Sequence, residues 1–71
     1  AGRLDEAEKF YLRALERESR DESIHFNLGR VYLDMKAWER AARAAADALD
    51  INPDFDEARK MKLFADRQAR T

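Results

Sequence analysis

Apolar residues recur along the chain at helical spacing. Leu4, Ala7, Phe10, Tyr11, Ala14 and Leu15 follow the i, i+3, i+4, i+7 pattern of one helix face, and Ile24, Leu28, Val31, Tyr32 and Met35 repeat it. A third set runs Trp38, Ala41, Ala42, Ala45, Ala48, Leu49, and a weaker fourth runs Ala58, Met61, Phe64, Ala65, Ala69. Short polar breaks at Ser19–Asp21, around Lys36 and at Asn52–Asp54 separate them, as in chains of antiparallel helices. Ser19-x-x-Glu22 has the spacing of a capping box, and Asp54-x-x-Glu57 is its acidic equivalent. Pro53 has no amide proton and clashes with a preceding turn, so the third helix stops before it. The pattern predicts helices over roughly 4–18, 22–35, 38–51 and 55–69 and no strands. The expected fold class is all-α, an antiparallel helix-hairpin stack.

Composition narrows the picture. Seventy-one residues make a single domain, 1–71. With no cysteine there is no disulfide framework, thiolate zinc site or thiol nucleophile. That leaves the compartment open, with the reducing cytoplasm as the expectation. No apolar run reaches the roughly 18 residues of a membrane span, so a membrane is not among the expected partners. The net charge of −1 likewise argues against a nucleic-acid surface, which is basic overall. The cations do cluster in the tail at Arg59, Lys60, Lys62, Arg67 and Arg70. That places positive charge toward a helix C-terminus, where the macrodipole favours it. A contact with an acidic partner is the weaker reading, because the rest of the chain is acidic.

Self-comparison is more informative. A shift of 34 residues brings Leu4 onto Trp38, Asp5 onto Glu39, Ala7 onto Ala41, Ala14 onto Ala48, Leu15 onto Leu49 and Ile24 onto Ala58. The register then fades, with Leu28 on Lys62 and Tyr32 on Asp66. A two-helix period of this length, with Asn27-Leu28-Gly29-x-x-Tyr32, Ala41, Ala48-Leu49 and Asn52-Pro53 inside one unit, resembles the tetratricopeptide repeat family. Gly29 would let two helices cross closely, with Ala41 and Ala48 small on the other side. The resemblance divides the chain into a second helix of a partial repeat (1–19), a complete repeat (20–53) and a C-terminal capping helix (54–71). It departs at His25, where the family carries Trp, and at Ala45, where a large aromatic is usual. Trp38 is the candidate to restore the volume.

No catalytic grouping is visible. His25 is the sole histidine, and its spacing makes it a packing residue. The acidic clusters sit at helix starts and lack the glycine and ligand alternation of a calcium loop. No phosphate-binding loop and no nucleophile elbow occurs. Neither enzyme activity nor a cofactor is expected. What the resemblance implies is a scaffold for protein–protein interaction, with first helices lining a groove for a peptide or partner domain. The residues it assigns to that groove are Ser23, Phe26, Asn27, Arg30, Leu33 and Asp34. Asn27 matches the family asparagine that hydrogen-bonds an extended peptide. A full carboxylate clamp is not expected, because the last helix offers Glu57 and Met61 with only Lys60 nearby. The alternative is homo-oligomerisation through Leu4, Phe10, Tyr11 and Leu12 on the first helix, an apolar patch that a chain starting on a second helix would leave uncovered.

Overall fold

The computed structural model describes residues 2–70, and Ala1 and Thr71, the ends of the expected domain, lie outside the described residues. Four helices follow one another: α1 (Gly2–Arg17), α2 (Glu22–Asp34), α3 (Trp38–Ile51) and α4 (Asp56–Arg70). No strand occurs among the described residues. Each helix packs on the next along the chain, and α2 also meets α4, whereas α1 touches only α2. The result is a slab of 32 × 31 × 13 Å. It is closed on the side where α2 and α4 meet and open on the side of α1 and α3.

Local chemistry accounts for the ends. Asp21, not Ser19, caps α2: its Oδ1 accepts the Ser23 N–H at 2.9 Å, one of the donors a helix start leaves orphaned. Ser19 lies back in the turn, so the capping box expected from it does not form. At the other end of α2 the Lys36 N–H donates to Leu33 O at 3.0 Å and the Ala37 N–H donates to Tyr32 O at 2.8 Å. This is a Schellman closure, and it holds Lys36 at φ 59, a left-handed conformation that usually goes to glycine. Asn52 ends α3: its Oδ1 accepts the Asp54 N–H at 3.1 Å and its carbonyl accepts the Phe55 N–H at 3.1 Å. Asp54 is thus a turn residue and not the cap of α4. The Arg59 guanidinium ties down the same turn, donating to Pro53 O at 2.6 Å and to Asp56 Oδ1 at 2.7 Å.

The core is built largely from alanine. Ala41, Ala45, Ala48, Ala58 and Ala65 are fully buried, Ala44 nearly so, with Leu28, Val31, Tyr32 and Met61 filling the space between. Small side chains let helix axes approach closely, but each removes little apolar area from water, at roughly 25 cal/mol per Å². A Cβ added at Gly29 would lie 2.6 Å from Met61 Sδ and 3.5 Å from Ala44 Cβ. The groups closest to Gly29 are therefore these two, rather than Ala41 and Ala48. Trp38, the candidate to restore the volume at Ala45, stands edge-on to Phe64 of α4, with ring centroids 5.9 Å apart. No residue of α1 is buried, and Tyr11 and Leu15 are its partly buried contacts with the core.

Candidate functional site

Of the six groove residues expected on α2, Ser23, Asn27, Arg30 and Asp34 lie at i, i+4, i+7 and i+11. That spacing makes one stripe along a helix face, about 16 Å long at 1.5 Å per residue. Ser23, Arg30 and Asp34 are exposed and Asn27 is half-buried. Among the described residues the Asn27 amide forms no hydrogen bond and the Arg30 guanidinium forms no ion pair. The two apolar members turn partly inward. Phe26 lies against Phe55, with centroids 4.9 Å apart and rings tilted by 38°, and Leu33 packs on the core.

The four α1 residues do not form one surface. Successive helical residues are about 100° apart, so Leu4 and Tyr11 share a face while Phe10 and Leu12 project to opposite flanks. Tyr11 packs on the core and Leu4 is half-buried. Phe10 is 66% exposed; it stands edge-on to Tyr11 at 5.3 Å and rims a hollow floored by Ala14 and Ile24. Leu12 is 44% exposed and faces the other way, toward α3.

Two polar contacts hold α1 and its turn to the rest of the chain. The Tyr32 hydroxyl donates to Glu8 Oε2 at 2.9 Å, joining α2 to α1. Burial, then the hydrogen bond to Glu8 and the charge of that carboxylate, raise the phenol above its ordinary value of 10.0, and Arg40 partly offsets them. His25 Nε2 lies 3.0 Å from the Ser19 carbonyl, and its Nδ1 lies 3.9 Å from Asp47 Oδ2 on α3. Because a carbonyl only accepts, Nε2 carries the proton in that bond. The histidine thus holds the α1–α2 turn against α2 and turns its other ring nitrogen toward α3.

A feature that no helical spacing in the sequence marks lies on the open side of the slab. Between α1 and α3, with α2 as its floor, runs a groove of about 440 Å³. Its residues come from three helices, so no local spacing announces it; His25 in place of the family's tryptophan is the one signal. The basic tail, by contrast, is partly occupied within the chain. Arg59 pairs with Asp56, and Lys62 pairs with Asp66 at 2.8 Å. The described residues hold no cluster of three or more His, Asp or Glu able to bind a metal, and no helix long and apolar enough to cross a membrane.

The helix-hairpin architecture, the Gly29 approach and the 34-residue period all belong to one class of helical repeat. A tetratricopeptide repeat family profile matches residues 1–63, and the chain belongs to that family. No curated protein and no solved structure matches it. The family serves in general as non-catalytic modules for protein–protein interaction.

Proposed function

We propose that this chain is a recognition module that binds an extended segment of a partner protein along the α2 stripe of Ser23, Asn27, Arg30 and Asp34. The observation that carries the reading is that Asn27 and Arg30, one turn apart on a packed helix, have no partner within the described residues. Together they offer an amide, which both donates and accepts, and a forked cation suited to a carboxylate. Half-buried Phe26 and Leu33 flank them with apolar surface. The rigid helix means that little ordering entropy opposes binding on the protein side.

Selection of a displayed random-peptide library on the immobilised chain tests this. Enriched peptides should lose about tenfold or more in affinity in Asn27→Ala and in Arg30→Ala, with helicity unchanged. Failure to enrich any sequence, or enriched peptides indifferent to both substitutions, contradicts the reading. A second reading rests on Phe10, whose 66% exposure is high for a large aromatic. Self-association through that flank of α1 would appear in sedimentation velocity as a concentration-dependent dimer lost in Phe10→Glu. A monomer at high micromolar concentration removes it.

A further inference from the structure

We infer that the groove between α1 and α3 is a second docking site, separate from the α2 stripe, and that it takes an amphipathic helix of a partner protein bearing an acidic residue amid apolar ones. The floor is apolar, made by Leu28 and Tyr32 of α2, with Leu12 and Leu15 as one wall. Leu12 opens into it while 44% exposed, an apolar cost that a partner's side chain would remove. The opposite wall is α3, which presents Arg40 and Arg43 one turn apart. Neither guanidinium has an ion pair or hydrogen bond among the described residues.

Charge along the α3 wall has an order. Glu39 and Asp47 stand at the two ends, and the two arginines lie between them. Asp47 is already faced by His25 Nδ1 at 3.9 Å. The arrangement therefore attracts a carboxylate at mid-groove and repels a segment that is acidic along its whole length. From residue 39 to residue 47 the wall is about 12 Å long, a little over two helical turns. An entering helix could seat apolar side chains at i, i+3/i+4 and i+7 on the leucines while a central Asp or Glu meets the arginine pair.

The probe is a blocked, helix-forming peptide of leucines at that spacing with a central glutamate, set against an isomer in which lysine replaces the glutamate. Titration into the full chain is followed by methyl and amide NMR. The glutamate peptide should shift the signals of Leu12, Leu28 and Ala44 and bind more tightly than the lysine isomer. Its affinity should fall about tenfold in an Arg40→Gln/Arg43→Gln double variant, both sites being exposed, with the circular dichroism of that variant unchanged, and should be unmoved by Asn27→Ala. The last result separates this site from the α2 stripe, so either can fail alone. Equal binding of the lysine isomer, no shift at Leu12 up to millimolar peptide, or shifts confined to the α2 stripe would overturn the inference. So would sedimentation showing that a second copy of the chain already covers the groove.

Discussion

Gly29 sets how closely α2 approaches the rest of the stack. Its missing side chain is occupied by the Met61 thioether and approached by Ala44. A leucine there has no room, so Gly29→Leu should cost about 1–3 kcal/mol, read from urea unfolding. Ala45 is fully buried, and Ala45→Phe, which installs the aromatic usual in the family, should destabilise by a similar amount of about 1–3 kcal/mol. Lys36 presents the opposite case. A side chain in the left-handed region costs about 1–2 kcal/mol that glycine avoids, so Lys36→Gly should raise the urea midpoint. Tyr32 links stability to pH. Its phenol titrates higher in the folded chain than in the unfolded one, so its contribution is complete below about pH 10. The contribution is lost as pH rises from there through the folded value. Urea midpoints should stay flat as pH approaches 10 and then fall, and the fall should shrink in Tyr32→Phe.

Among the elements, α1 is the weakest held. It packs on α2 alone and has no buried residue, so its attachment rests on Tyr11, Leu15 and the Tyr32–Glu8 bond. Hydrogen exchange should show α1 opening below the global unfolding free energy, with α2 and α3 protected longest. Uniform protection across the four helices would contradict this. The helices themselves were legible in the sequence because helical periodicity and the Pro53 break are local. Their observed ends differ from the expected ones by two residues at most. The caps were less legible. Ser19 and Asp21 both suit the role; in the folded turn Asp21 takes the Ser23 N–H, while Ser19 contributes its carbonyl to His25 Nε2.

For the whole molecule, the repeat period identified the stack, since Gly29, the alanines and Pro53 encode inter-helix distance and turning directly. Surface chemistry was legible only in part. The stripe of Ser23, Asn27, Arg30 and Asp34 could be read because it runs along a single helix. Phe26 and Leu33 proved half-turned inward because their neighbours Phe55 and the core come from elsewhere in the chain. The α1–α3 groove assembles from three helices that no single spacing connects. The asymmetry of the slab, closed at α2–α4 and open at α1–α3, leaves it with two distinct faces. The most direct test of peptide binding along α2 is an amide NMR map of the chain bound to a library-selected peptide. The largest shifts are expected at Ser23, Asn27, Arg30 and Asp34. Shifts that leave this stripe untouched would contradict peptide binding there.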